Sequence, residues 1–269
     1  MDINIAIIGK PNVGKSTIFN KLIGENKSEV SEISGTTIYP IFSKQNYGSR
    51  NLNLIDLGGL KKKSKSNDNK QKLITRETLK QLNSSNIVFF VLDGSDEITK
   101  NDKQLFKLVL NKLKNIILIV NKTDLIKENL KKKESYFKFF FEKNYPNILL
   151  KPIFVSALKN IKKEFLIKKI FDVCDKSNTI INNKDVNFVL KSILNHHQPV
   201  YSKKSRPIIK FIKHVNSNPM IFKAFGNKLT YLTKEYKNYF IKQLLLKLKI
   251  YNQVVVIKYL NNKNPYIQN

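Results

Sequence analysis

The stretch Gly9-Lys10-Pro11-Asn12-Val13-Gly14-Lys15-Ser16 follows an apolar run from Ile3 to Ile8 and precedes a helical pattern from Thr17 to Leu22. It reads G-x-x-x-x-G-K-S. A strand, a glycine loop and a helix in this order restrict the chain to folds that cradle a phosphate at a helix N-terminus. Gly9 and Gly14 let the backbone curl until successive N–H groups face a β-phosphate. Lys15 reaches the β and γ oxygens, the Ser16 hydroxyl is placed for Mg²⁺, and Thr17 completes the phosphate-binding set. The loop alone leaves the base and the reaction undecided.

Apolar runs and amphipathic stretches alternate through the first two thirds of the chain, the pattern of an α/β fold with a parallel sheet. Expected strands are Ile3–Ile8, Ser43–Tyr47, Leu52–Asp56, Ile87–Leu92, Ile116–Asn121 and Pro152–Ser156. Leu73–Asn83, Lys100–Leu113, Asn129–Phe141 and Ile161–Cys174 carry helical spacing. The basic, polar run Lys61–Lys70 is expected to be mobile. Around Lys176–Asp185 the pattern breaks into Ser, Asn and Lys, a linker. A small α+β unit follows, read as helix Val186–His196, strands Ile208–His214 and Met220–Phe225, helix Leu232–Lys249 and strand Gln253–Tyr259. The expected domains are 1–176 and 184–269.

The net charge of +29 points to a polyanionic partner, nucleic acid before membrane surface. Lysine enrichment from an AT-rich genome is the competing source, since only Arg50, Arg76 and Arg206 are arginines. Position favours the functional reading: residues 176–269 hold 17 Lys and Arg against two acids, Asp185 and Glu235. No apolar stretch approaches the roughly 18 residues of a membrane span. The single cysteine, Cys174, lies on an amphipathic helix and reads as a buried structural thiol. A reducing cytoplasm is the expected location.

Motifs at strand ends narrow the chemistry to guanine-nucleotide hydrolysis. In Asn121-Lys122-Thr123-Asp124 the Asp124 carboxylate can accept both the N1 and N2 protons of guanine, a pair adenine does not offer. Asn121 can bond the N7 side and brace the loop, while the Lys122 stem covers the ring. Ser156-Ala157-Leu158 brings the Ala157 N–H toward the guanine O6. Asp56-Leu57-Gly58-Gly59 reads D-x-x-G, with Asp56 holding Mg²⁺ through water and the Gly59 N–H sensing the γ-phosphate. In Gly35-Thr36-Thr37 a hydroxyl, that of Thr37, completes the Mg²⁺ shell when GTP is bound; a capping role is the alternative. Leu60 stands where a water-orienting Gln is common, and a leucine orients no water. Asn12 is either a turn former or a side-chain carbonyl holding a monovalent cation beside the phosphates.

These motifs resemble those of the double-Era GTPases (Der, also called EngA), bacterial factors for assembly of the large ribosomal subunit. The likeness is to their second GTPase domain plus C-terminal domain. It rests on Ile5–Ser16, Val30–Thr37, Leu54-Ile55-Asp56, Ile98–Asp102 and Asn121–Asp124, and beyond the linker on His196-His197-Gln198-Pro199 and Asn218–Asn227. The resemblance implies a Ras-like P-loop GTPase domain and a small KH-like domain. It further implies Mg²⁺-dependent GTP hydrolysis to GDP, promoted by potassium at Asn12, and docking on ribosomal RNA. The expected partners are the large subunit and its rRNA, with neither membrane nor DNA, and a monomer off the ribosome.

Lys15, Thr37, Gly59 and Asn12 form the expected catalytic set, and Ser16, Thr37 and Asp56 the Mg²⁺ set. The chain departs from the family in three places. It starts at what looks like the second of two tandem GTPase domains, Ile38-Tyr39 replaces Arg-Asp after Gly-Thr-Thr, and Asp56-Leu57-Gly58-Gly59 replaces D-T-A-G. An RNA-binding scaffold with a hydrolysis-impaired GTPase domain is the alternative these changes motivate. The C-terminal part has one glycine, Gly226, so it lacks the G-x-x-G clamp of standard KH domains. Core packing is the favoured role for Phe211, Phe222, Tyr236 and Tyr251 over base stacking.

Overall fold

The computed structural model describes residues 2–24, 41–56, 79, 82–127, 129–159, 161–201 and 206–261. Thr37, Gly59 and Leu60, with the run Lys61–Lys70 and most of the expected helix Leu73–Asn83, lie outside them. The chain divides into two compact units, Met1–Lys138 with Leu150–Cys174, and Phe139–Leu149 with Asp175–Asn269.

In the first unit, strands β1 (Asp2–Ile8), β2 (Ile41–Tyr47), β3 (Arg50–Asp56), β4 (Ile87–Asp93), β5 (Asn115–Asn121) and β6 (Ile153–Phe154) form one sheet of order β2-β3-β1-β4-β5-β6. Only the β2–β3 pair is antiparallel. Every residue of β4 and β5 is buried, the mark of strands covered on both faces. Helices α1 (Lys15–Ile23) and α4 (Lys163–Ser177) seal one face, where Phe19, Leu166, Ile170 and Cys174 join Ile5, Ile7, Phe89 and Ile119. Phe106 of α2 (Lys100–Asn111) packs edge-on against Phe90 at 5.1 Å between ring centroids. Phe137 of α3 (Leu130–Asn144) meets Phe154 of β6 in the same way. This winding puts the loops after β1, β3, β4, β5 and β6 at the strands' C-terminal ends, where open α/β sheets take ligands.

The second unit is built on α5 (Asn183–His196), β7 (Ile208–Ser217), β8 (Met220–Asn227), α6 (Lys234–Lys247) and β9 (Val255–Asn261). The sheet order is β7-β8-β9, with β8–β9 parallel. The break between α4 and α5 is shorter than the composition of Lys176–Asp185 suggests, because its polar residues start a helix. The Asn182 side chain caps α5 by accepting from the Lys184 N–H, and Asp185 lies in the first turn. From α5, Asn187 holds both backbone groups of Ile212 (2.8 and 3.0 Å) and Asn183 accepts from the His214 N–H, so the outer edge of β7 is already paired. Phe222 and Tyr236 are buried in this core as expected, and Tyr251 packs partly buried against it. Phe211 is not core: it is 41% exposed on the opposite face of the sheet. Register shifts on both sides of Phe211–His214 change which residues face inward, so Ile209 and Ile212 point to the core and Phe211 away.

Candidate functional site

The loop between β1 and α1 is forced into its shape by close approaches to the backbone of β4 and the side chain of Asn121. A Cβ on Gly9 would lie 2.3 Å from the Val91 carbonyl oxygen of β4, and one on Gly14 would lie 2.2 Å from Asn121 Nδ2. Gly14 also has φ 93° and is the N-cap of α1, where a glycine carries least strain. Asn12 takes φ 65° and is exposed. The loop therefore ends on the N-terminus of a helix, whose unpaired N–H groups and dipole favour an anion. Lys15 Nζ donates to the Lys10 carbonyl at 2.7 Å, which folds its ammonium over the loop. Ser16 is exposed in the first turn of α1 and Thr17 half-buried. Asp56 ends β3 opposite Ile7 of β1, two residues before Gly9.

Lys10 fastens the loop to α2. Its ammonium lies 3.4 Å from Asp102 and 3.6 Å from Asp96. Asp102 is buried and closes the capping box of α2 with Thr99, whose hydroxyl and N–H both donate to Asp102 Oδ2.

At the other end of the site, buried Asn121 is the joint. Its Nδ2 donates to the Val13 carbonyl of the phosphate loop at 2.8 Å, and its Oδ1 accepts from the Ala157 N–H at 2.9 Å. One amide thus fixes the spacing of three loops. Among the described residues the amide nitrogen makes only that one hydrogen bond, so its second N–H is unused there. Thr123 N–H donates to the Val155 carbonyl, tying the same loops by backbone. Asp124 is exposed, and the nearby Ser156 hydroxyl is the foremost influence holding its carboxyl below the ordinary carboxylate value. Ser156 Oγ itself is buried and makes no hydrogen bond within normal limits among the described residues.

Asp93, Gly94 and Ser95, which stand in none of the linear motifs, belong to the same cluster. Asp93 Oδ2 is 2.6 Å from Lys122 Nζ, and its Oδ1 accepts from the Ser95 N–H and hydroxyl. Burial pushes the Asp93 carboxyl up, but Lys122 and Ser95 outweigh it and hold the group below its ordinary value. Gly94 N–H donates to the Asn121 carbonyl at 2.7 Å, and a Cβ there would lie 2.9 Å from that oxygen. Lys122 is left-handed at φ 61°, and its ammonium is anchored on Asp93. The only linear signal was an Asp-Gly-Ser turn after an apolar run, which reads as punctuation.

A family model described as 50S ribosome-binding GTPase matches residues 4–122, and one described as KH-domain-like of EngA bacterial GTPase enzymes, C-terminal, matches residues 181–259. GTPase Der of Buchnera aphidicola subsp. Acyrthosiphon pisum (strain 5A) is 31% identical, covering 99% of this chain and 58% of that protein. GTPase Der of Borreliella afzelii (strain PKo) is 33% identical, covering 98% and 59%. The chain spans under two thirds of the length of these relatives. A crystal structure of Aquifex aeolicus Era bound to GDP.AlF4- superposes with TM-score 0.51 at 20% identity, over 97% of this chain and 93% of that one. Era in complex with MgGDPNP and a segment of 16S ribosomal RNA gives 0.50 at 21%, over 97% and 92%. At such identities these two likenesses speak for the fold alone. Both domain models fall in order along the chain and the match to GTPase Der runs almost end to end, so the chain belongs to the double-Era (Der/EngA) GTPase family.

Proposed function

We propose that the chain binds GTP, hydrolyses it to GDP and phosphate, and uses the nucleotide state to control binding to large-subunit rRNA. It acts as a cytoplasmic ribosome-assembly factor, monomeric off the ribosome. Residues 1–176 serve as the Ras-like GTPase domain and 184–269 as the KH-like RNA- and ribosome-binding domain. The observation that carries this reading is the Asn121 amide, which joins the phosphate loop to both base-reading loops and leaves the Asp124 carboxylate exposed and ionised beside them.

Each residue then has a task. Phosphate oxygens replace the Lys10 carbonyl as the partner of Lys15 Nζ, while N–H groups from Gly9 to Thr17 surround them. Asp124 accepts the guanine N1 and N2 protons, and the spare Asn121 N–H meets N7. Ala157 N–H turns toward O6, with Ser156 supporting Asp124, and the Lys122 stem lies over the ring while Asp93 holds its ammonium. The exposed Ser16 hydroxyl and the end of β3 at Asp56 fall at the same sheet edge, a donor set of hard oxygens suited to Mg²⁺. Ser16, Thr37 and Asp56 would hold Mg²⁺ there, which would supply charge neutralisation for the transferring phosphoryl group. Gly59 N–H senses the γ-phosphate, and Asn12 holds potassium. Leu60 offers no water-orienting group, so intrinsic turnover is slow.

GTP must bind and ATP must not. Phosphate release, measured in potassium and in sodium with and without large subunits, should rise in potassium or with subunits. No release in any condition would leave the hydrolysis-impaired scaffold. Co-sedimentation with large subunits should differ between a GTP analogue, GDP and no nucleotide; equal binding in all three would sink the switch.

A further inference from the structure

In the second unit the inner face of the sheet is spent on the core and the outer face is ordered into rows. Phe211, Phe225 and Leu260 stand side by side on β7, β8 and β9. Two residues along, Lys213, Lys223 and Lys258 stand side by side, and beyond them lie Ile221 and Val256. Phe211, Lys213, Lys258 and Leu260 are exposed and Lys223 and Phe225 half-buried. The Phe211 and Phe225 rings are 6.2 Å apart between centroids and tilted by 35°.

Like charges facing each other across strands destabilise a sheet, and here two such pairs share Lys223. Nothing in the three strands offsets them, for β7, β8 and β9 contain no acidic residue. Among the described residues none of the three lysines has an ion-pair partner. A ladder of lysines through the middle of an apolar patch is unlike the core of a protein interface, which is depleted in lysine. It matches a chain of phosphates. Rows two residues apart are separated by about 6.6 Å along a strand, so a base laid on the aromatic pair leaves its phosphate beside the ammonium groups. Aromatic rings on an open sheet take bases only when those are unstacked, which selects single strands over duplex.

We propose that the outer face of β7-β8-β9 is a docking surface for single-stranded RNA, with Phe211 and Phe225 stacking a base and Lys213, Lys223 and Lys258 contacting its backbone. This rests on the RNA-binding reading above and supplies a site that the absent G-x-x-G loop does not.

The test uses the full chain and two probes of equal length, a single-stranded oligouridylate and an RNA duplex, titrated over a range of salt. Wild type should prefer the single strand. Phe211→Ala should weaken it about ten-fold, while Phe211→Tyr should retain binding. Lys213→Gln with Lys223→Gln and Lys258→Gln should reduce the slope of log affinity against log salt by about 2, at roughly 0.7 per phosphate contact. Guanine-nucleotide affinity should stay unchanged in all of these, which reports folding of the first unit, and hydrogen exchange of the β8 amides reports folding of the second. If wild type binds the single strand but the variants match it in affinity and slope, RNA binding stands and this surface is wrong. If wild type binds neither probe nor large subunits in any nucleotide state, the RNA reading itself falls. If Phe211→Ala instead abolishes a dimer seen in sedimentation with RNA affinity intact, the face serves a second copy and the proposal is overturned.

Discussion

Lysine is put to opposite uses at two places in the molecule, the loops of the first unit and the outer sheet face of the second; the second unit's ion pair Lys242–Glu142 lies elsewhere. In the first unit Lys10 sits between Asp96 and Asp102, and Lys122 is held by Asp93 at 2.6 Å. Each carboxylate there positions a loop through an ammonium. In the second unit Lys213, Lys223 and Lys258 face one another with no acid on their strands. The same composition therefore means internal bracing where acids accompany it and an unmet demand for anions where they do not. A net charge of +29 read over the whole chain blurs that distinction.

The largest effect should come from the exposed carboxylate at the braced site. Asp124→Asn turns one of the two acceptors of guanine protons into a donor and removes the charge from the other. It should weaken GDP about a hundred-fold or more, because one charge-assisted bond becomes a donor–donor clash and the second loses its charge. Xanthosine diphosphate, whose C2 bears a carbonyl, should bind the variant better than it binds wild type, since the new amide can donate to that oxygen. Calorimetric titration of both nucleotides checks this, and an unchanged guanine preference would remove Asp124 from the site.

Asn121→Ala comes next. It strands the Val13 carbonyl and the Ala157 N–H, each a buried group whose lost partner costs about 1–3 kcal/mol. The variant should lose about 2–4 kcal/mol of stability by denaturant titration, and GDP affinity with it. This joint was legible because Asn121, Gly14 and Ala157 all stand in linear motifs whose strand and helix contexts are read from periodicity. Asp93 was not, since it meets Lys122 only because β4 and β5 pair in a register that sets Asp93 beside Asn121. Phe211 was misplaced for a related reason. In Ile208-Ile209-Lys210-Phe211-Ile212 several apolar assignments fit a strand, and the register shift after Ile209 decides among them. Asn182 and Asp185 read as linker because capping residues and loop residues are the same types. Long-range register is absent from local pattern.

A smaller effect separates a braced lysine from a solvated one. The Asp93 carboxyl is held below its ordinary value of 3.8 when folded, so its ionised form stabilises the native state. That stability is present above the unfolded value and is lost as pH falls through the folded one. Asp93→Asn should therefore cost about 1–2 kcal/mol near neutral pH, with the gap from wild type closing below about pH 4. Denaturant midpoints from pH 3 to 7 read this directly. A gap that does not narrow toward the acid end would assign the loss to packing instead of charge.

The smallest effect has the opposite sign and bears hardest on the comparison. Lys223 stands between Lys213 and Lys258, so replacing it removes two cross-strand repulsions at once. Lys223→Val should raise the stability of the second unit by about 0.5 kcal/mol at low salt, read from hydrogen exchange at Phe222 and Ala224 in β8. Part of any gain comes from the strand preference of valine, which salt does not alter. The electrostatic part is screened, with a Debye length of about 3 Å at 1 M against about 10 Å at 0.1 M, so it should vanish between those conditions. Lys122→Met in the first unit should instead destabilise, because it leaves the buried Asp93 carboxylate without its cation. A Lys223→Val variant less stable than wild type at low salt would mean that this lysine, too, is braced, and the contrast between the two units would dissolve.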